Sequence, residues 1–335
     1  MREELVKTRI LIGIGLLAGV AVAVAAQDGG AAARTPWGDP DLQGIWGAGY
    51  ILTPLERPDE FEGREFLTDD EVATLEGRAA GPGRDQRAET GTVADVEGAY
   101  NDAYSGRGRQ VLHTRRTSLI IDPPDGKIPF TTAGRARWAA ERAEADRIRD
   151  RAHHPEDQQD DRCEGITLPL QYGSARISGG HSRIVQAPGL VSMYYESGHQ
   201  GGQYRDVFLD GREPVGAHIR QWFGRSAGRW EGDTLVVEAT NFSDRTSYYG
   251  SRENLRLTER FTRSGPDLLM YRVTVEDPDT FARPWTIEVP LHRLDNRANQ
   301  IYESACQEGN YALTSILAGE RTLERAAGRG SSQGR

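Results

Sequence analysis

The chain has 335 residues, a formal net charge of −9 and 39 glycines. The negative charge argues against a general nucleic-acid binder. An apolar fraction of 37% together with so much glycine argues against a helical bundle. The length allows one large domain or two modest ones, and a protein rich in strands and loops is the favoured class.

The N-terminal segment is typical of a secretory signal peptide. Three basic residues within the first nine precede an apolar run over 10–26, and small residues end that run at Ala26. We therefore expect cleavage near Ala26, a periplasmic or secreted protein, and no membrane span after cleavage. An uncleaved anchor is the alternative. Residues 27–35 are rich in Gly and Ala, which indicates a flexible linker.

The mature chain has only two cysteines, Cys163 and Cys306. An even pair in an exported protein favours a disulfide, which would join the middle of the chain to its C-terminal strand. In the chain-entropy model a loop of that length contributes about 4–5 kcal/mol to stability. Two free buried thiols are the alternative.

Residues 36–160 are predicted to decorate a β domain with helices and loops. Residues 36–46 combine turn residues with two tryptophans, which indicates a turn and a short strand that closes one end of the domain. A capping box at Thr68–Glu71 predicts a helix over 68–79, and a long loop is expected at 80–108. Residues 112–121 predict a strand. Residues 132–152 predict an exposed helix anchored by Trp138.

Residues 161–319 have the pattern of an antiparallel β domain. Segments of 6–10 residues rich in β-branched and aromatic side chains alternate with Gly, Pro and Asp turns, as expected of a barrel or sandwich. The clearest hairpin turns at Gly232-Asp233, after Trp230-Glu231. The other predicted strands are 183–186, 190–196, 204–209, 234–242, 254–263, 268–276, 285–291 and 300–306. The predicted fold is mainly β, a lipocalin-like antiparallel barrel or a flattened sandwich with short N-terminal helices, and 320–335 are expected to form a disordered tail.

Several stretches together resemble a family of uncharacterised secreted bacterial proteins. They are PWG at 36–38 with PDLxGxW at 40–46, RTSLI at 116–120 with DPPDG at 122–126, QW at 221–222, GRWEGDTLVV at 228–237 with NF at 241–242, ERFTR at 259–263, TVEDP at 274–278, PWT at 284–286 and EGNY at 308–311. The resemblance covers nearly the whole mature chain and implies no particular activity. The chain departs from the family's pattern at Arg256 and Gln307, where relatives tend to have histidine.

The first candidate functional residue is Glu259. Leu255, Leu257, Glu259 and Phe261 share one face of a strand, and because the others are apolar this face should point inward. A carboxylate in that position must be paired or meet a large desolvation cost. It is either a structural ion pair with an arginine of a neighbouring strand, such as Arg272, or a carboxylate in a ligand cavity.

The second candidate is the strand end that contains Tyr195, Glu196 and His199. A histidine and a carboxylate can share general acid/base chemistry near neutral pH, and sites often lie at strand ends and loops. His181 would join His199 if their strands pair. The alternative is simply a polar strand end.

Trp230 is mainly a turn-flanking residue, although its ring could stack on a sugar or an aromatic ligand. The remaining histidines have no metal-ligand spacing, and the chain contains no HExxH, CxxC, P-loop or Gly-x-Ser-x-Gly motif. We therefore expect no metal and no cofactor.

Three classes of function remain open at this point. In the first, the barrel is an acid/base hydrolase, lyase or isomerase that acts on a small organic or carbohydrate substrate, with His199 and Glu196 as proton carriers and Glu259 with an arginine orienting charge. In the second, the barrel only binds such a ligand, with Trp230, Tyr195, Arg272 and His181 as binding residues. In the third, it is a structural envelope protein. The sequence does not indicate the oligomeric state.

Overall fold

The protein forms a closed β-barrel with three helices in the part of the chain described by a computed structural model. The described residues are 33–47, 53–79, 92, 111–149, 154–155, 181–195, 202–212, 215–298, 301 and 308–332. The strands are β1 (Gly44–Gly47), β2 (Ile120–Asp122), β3 (His181–Ala187), β4 (Leu190–Tyr195), β5 (Gln203–Phe208), β6 (Arg225–Glu231), β7 (Thr234–Thr240), β8 (Arg256–Arg263), β9 (Leu268–Glu276) and β10 (Trp285–Arg293).

Strand β1 closes the barrel. Strands β3 to β10 pair in chain order, and β1 pairs with both β3 and β10 to complete a ring of nine strands, while β2 adds to β10 from outside the ring. The predicted barrel is therefore confirmed. The region expected only to decorate it nevertheless supplies one of its strands, because β1 lies within 36–160.

One strand pair departs from the predicted antiparallel arrangement. Strand β5 runs parallel to β6, with Phe208 beside Ala227. The reason is that residues 209–224 return the chain to the opposite end of the barrel before β6 begins. All the other pairs in the ring are antiparallel.

The two ends of the barrel are built differently. At the hairpin end lie the tight turns β3–β4, β6–β7 and β8–β9, where Gly189 (φ 76°) and Gly232 (φ 60°) adopt the left-handed conformation that glycine tolerates. Residues 33–43 cover this end. Arg34 pairs with Asp233 in the β6–β7 turn, and Arg263 donates to the carbonyl of Asp41 over 2.7 Å. The opposite end, where β4, β7 and β9 finish, is called the loop end.

The helices are α1 (Asp69–Ala79), α2 (Thr132–Arg149) and α3 (Ala312–Ser332), and a single 3-10 turn covers Asp59–Phe61. The predicted capping box is present, since the Thr68 N–H donates to the Glu71 carboxylate over 2.9 Å and the Glu71 N–H donates to the Thr68 hydroxyl over 3.3 Å. None of the helices among the described residues combines the length and the apolar character needed to span a bilayer.

Helix α2 lies at the loop end. Its Trp138 packs edge-to-face on Tyr249 with ring centroids 5.1 Å apart, and Arg137 donates to the Gly250 carbonyl over 2.9 Å. Gly134 lies so close to the loop that an added Cβ would be 2.1 Å from the Thr280 carbonyl oxygen. The expectation of a helix anchored by Trp138 is thus confirmed.

Two sequence predictions need correction. Residues 112–121 form a strand only from Ile120, because the preceding residues bond to irregular segments: Thr117 donates its N–H to Glu65 and Leu119 donates to Pro54. Residues 320–332, predicted as a disordered tail, belong to α3, whose composition of Ala, Leu, Glu and Arg favours a helix. The predicted strand 300–306 and loop 80–108 lie almost entirely outside the described residues.

Candidate functional site

A connected set of polar side chains lies inside the barrel. Glu259 is fully buried and Arg205 is 3% exposed. The Arg205 guanidinium meets the carboxylate with both terminal nitrogens: Nη1 donates to Oε1 over 3.1 Å, and Nη2 donates to Oε2. This bidentate arrangement is the strongest geometry available to an arginine and a carboxylate.

Three further side chains complete this set. The Tyr271 hydroxyl donates to Glu259 Oε1 over 2.9 Å, Arg205 Nε donates to Ser226 Oγ over 2.8 Å, and Arg205 Nη1 donates to the Tyr195 hydroxyl over 3.2 Å. We call Arg205, Glu259, Tyr271, Tyr195 and Ser226 the Arg205 network. Each of these five side chains is at least 95% buried.

Strand alternation places each member of the network on the inner face. In β8 the buried residues are Leu257, Glu259 and Phe261, as the sequence predicted. In β5, Arg205 and Val207 are buried while Tyr204 and Asp206 face outward. The apolar neighbours on each strand therefore carry the charged residues into the interior.

The local electrostatics keep the Arg205 guanidinium charged and the Tyr271 phenol protonated. Burial alone lowers the pKa of the Arg205 guanidinium, but the facing Glu259 carboxylate and the hydrogen bonds outweigh burial and raise the pKa above its ordinary value. Burial, together with the nearby Glu259 charge, raises the pKa of the Tyr271 phenol well above 10.0. Tyr271 therefore acts as a hydrogen-bond donor rather than as a base.

One member of the network, Ser226, begins a row of strand partners that crosses half of the barrel. Ser226 pairs with Ala239, Ala239 with Leu257, Leu257 with Val275, and Val275 with Trp285. Trp285 is the first residue of β10 and Tyr195 is the last residue of β4, so both lie at the loop end, whereas Glu259 and Tyr271 lie two and four residues further from that end than the row does. The β4–β5 connection, which contains Glu196 and His199, also leaves the barrel at the loop end.

The structure brings together two of the predicted site residues, Tyr195 and Glu259, because both bond to Arg205. Trp230 lies on the inner face of β6, and its indole Nε1 is buried without an acceptor. His181 begins β3, next to Ser182, which pairs with Tyr195. Glu196, His199, Cys163 and Cys306 lie outside the described residues, so their predicted roles stay predictions.

Arg272 is a correction. It was expected as a partner of Glu259 or as a ligand contact, but it projects from the outer face of β9 and donates through Nε to Glu288 over 3.1 Å. The side chains of Arg272 and Glu259 cannot meet because alternation places them on opposite faces of the sheet. The interior partner is Arg205.

Sequence reasoning missed Arg205, Tyr271 and Ser226. One signal for Arg205 was available: in Gln203–Phe208 it alternates in phase with Val207, as Glu259 does with its apolar neighbours. Tyr271 is likewise in phase with Leu269 and Val273 in β9. Ser226 has a weaker signal, because the next residue in its phase is Gly228 and only Trp230 beyond it is apolar.

Among the described residues, no group of three or more His, Cys, Asp and Glu side chains could hold a metal ion. Comparison with protein-family models, with curated proteins and with solved structures found no match to this chain. The Arg205 network and its surroundings are therefore the structural basis for assigning a function.

Proposed function

We propose that this protein is an exported, non-catalytic binding protein that holds a small organic ligand at the loop end of its barrel, beside the Arg205 network. The observation that carries the proposal is the fully buried Arg205–Glu259 pair, which two tyrosines and a serine surround. Burying such a pair is at best neutral for stability compared with apolar residues of the same size. A role in recognition explains why a barrel interior would carry this pair.

The geometry of the network favours binding over a catalytic role for Glu259 or Tyr271. A proton carrier needs an oxygen that faces the substrate, whereas both carboxylate oxygens of Glu259 accept hydrogen bonds from the protein. The Tyr271 hydroxyl donates a hydrogen bond to Glu259 and stays protonated because its pKa is raised. Glu259 and Tyr271 therefore orient Arg205, and the arginine and Tyr195 are the groups closest to the β4–β5 connection.

The catalytic alternative depends on Glu196 and His199. Glu196 directly follows Tyr195 of the network in the chain, and His199 follows three residues later. If His199 and Glu196 carry protons, His199→Ala should abolish turnover of a substrate while leaving ligand affinity largely unchanged. Binding without turnover in the wild-type protein favours the proposed function.

The proposal is tested by mass spectrometry of protein purified from the bacterial envelope, first native and then denatured. We expect the native mass to exceed the denatured mass by a discrete small-molecule increment. Tyr195→Phe should reduce the occupied fraction, because it removes a hydroxyl of the network without removing the ring. Tyr204→Phe is the matched control, since Tyr204 lies on the neighbouring strand with 74% of its surface exposed.

Two outcomes contradict the proposal. One is a native mass equal to the denatured mass under all purification conditions, together with no binding in a screen of organic probes. The other is an increment whose occupancy responds equally to Tyr195→Phe and Tyr204→Phe, because such a ligand would be bound elsewhere. The denatured mass also tests the expected cleavage near Ala26.

A further inference from the structure

Trp285 carries a hydrogen-bond donor that is unpaired in the part of the chain that the structure describes. Its side chain is fully buried on the inner face of β10, in phase with Ile287, Val289 and Leu291. Its indole Nε1 has no hydrogen-bond acceptor among the described residues. A buried indole N–H usually finds a partner, since leaving it unpaired costs free energy. An unpaired donor at this position is available to an acceptor on another molecule.

Aromatic rings surround this donor. Tyr248 lies parallel to the indole, with an interplanar angle of 3° and ring centroids 5.9 Å apart. Phe281 and Tyr249 approach edge-on at 5.5 Å and 6.3 Å. Trp138 of α2 packs against Tyr249 from outside. Surroundings of this kind favour a ligand with an aromatic surface, because rings stack offset or edge-to-face.

A row of strand partners also connects Trp285 to Ser226, a member of the Arg205 network near the loop end. Within that network the acceptors are already in use. Glu259 accepts from Arg205 and Tyr271, and Ser226 and Tyr195 each accept from Arg205. As far as the chain is described, the network thus offers no acceptor to Trp285 Nε1, and a ligand that complements this donor must bring an acceptor.

We infer that Trp285 Nε1 is a recognition donor and that the ligand is an aromatic organic molecule with a hydrogen-bond acceptor, such as a carbonyl, carboxylate or sulfonate oxygen, directed at it. This inference rests on the proposed binding function and specifies the class of ligand. It distinguishes the site from one that binds purely apolar molecules.

A matched pair of fluorescent probes tests this class. 8-Anilinonaphthalene-1-sulfonate and N-phenyl-1-naphthylamine have the same aromatic skeleton, but only the first has a sulfonate. We expect wild-type protein to bind the sulfonate probe about tenfold more tightly, as one additional hydrogen bond to a charged acceptor implies. Trp285→Phe should lower the affinity for the sulfonate probe about tenfold. It should leave the affinity for N-phenyl-1-naphthylamine nearly unchanged.

Trp37→Phe is the control for the loss of an indole. Trp37 lies in the segment that covers the hairpin end, and its Nε1 already donates to Asp39 over 2.9 Å. This variant should bind both probes as the wild-type protein does. Circular dichroism of each variant checks that the fold is intact.

The inference is overturned if wild-type protein binds both probes equally, or if Trp285→Phe weakens both affinities to the same extent. If Trp285→Phe does not fold, the difference between the affinities of the two probes for wild-type protein still tests the ligand class. Binding of the sulfonate-free probe alone would refute the ligand class and leave the binding function standing. Absence of both probe binding and a native mass increment would refute the binding function itself.

Discussion

Arg205 and Glu259 are 54 residues apart in the chain and meet inside the barrel as a bidentate ion pair. They belong to β5 and β8, which are not neighbours, since β6 and β7 separate them in the sheet. The pair therefore crosses the barrel interior and links two walls. The geometry of the pair depends on the whole fold. The pair in turn favours those arrangements of the strands in which neither buried charge is left unpaired.

Breaking this pair should destabilise the protein strongly. We expect Glu259→Gln or Arg205→Met to lower the free energy of unfolding by about 3–5 kcal/mol, because each leaves a buried charge without its partner. Urea denaturation would measure the loss. The double variant Arg205→Met with Glu259→Leu should recover most of it, since it removes both charges together.

The exposed pair Arg272–Glu288 provides the control for that experiment. Arg272→Met removes a pair in which the arginine side chain is 50% exposed, so it should cost only about 0–1 kcal/mol. Equal losses from Arg205→Met and Arg272→Met would contradict the assignment of Arg205 as the interior partner of Glu259.

The raised pKa of Tyr271 predicts how the free energy of unfolding changes at alkaline pH. Its folded-state pKa lies well above 10.0, so the unfolded chain loses this proton first as the pH rises. The contribution of Tyr271 to the free energy of unfolding is complete below about pH 10, the pKa of tyrosine in the unfolded chain. It is lost as the pH rises towards the pKa of Tyr271 in the folded protein. Urea denaturation between about pH 8 and 11 should show a steeper decline for wild-type protein than for Tyr271→Phe. Identical slopes would mean that folding does not shift the pKa of Tyr271.

Gly134→Ala should loosen α2 from the loop end. Helix propensity alone predicts a gain of about 1 kcal/mol, but the added Cβ would lie 2.1 Å from the Thr280 carbonyl oxygen. We therefore expect a net loss of about 1–3 kcal/mol and faster hydrogen exchange in 132–149. Gly77→Ala in α1 is the control, because no atom lies within 4 Å of its Cβ, and it should be neutral or slightly stabilising. A stabilising Gly134→Ala would refute the close packing of α2.

The predicted disulfide is tested by reduction. If Cys163 and Cys306 are joined, the denatured mass rises by two hydrogens on reduction, and the Cys163→Ser/Cys306→Ser double variant loses about 4–5 kcal/mol of stability in the chain-entropy model. Two alkylatable thiols in freshly purified protein would show that the pair is free.

Much of the architecture follows from the sequence, because strands, turns and helix starts depend on local chemistry. Alternation of apolar residues predicted the strands and placed Glu259 on the inner face of β8, and the capping box marked the start of α1. The hairpin around Gly232 was equally clear, since a tight turn there requires a residue that tolerates positive φ.

Only the tertiary structure decided which groups meet. Alternation assigns a side chain to the inside or the outside of a sheet, but it does not say which strands face each other across the interior. That depends on strand order, on the parallel contact between β5 and β6 and on closure by β1. For this reason Arg272, close to Glu259 in sequence, lies outside, while Arg205 is its partner. The unpaired N–H of Trp285 emerges in the same way, because a buried donor without an acceptor can be recognised only after every neighbour has been placed.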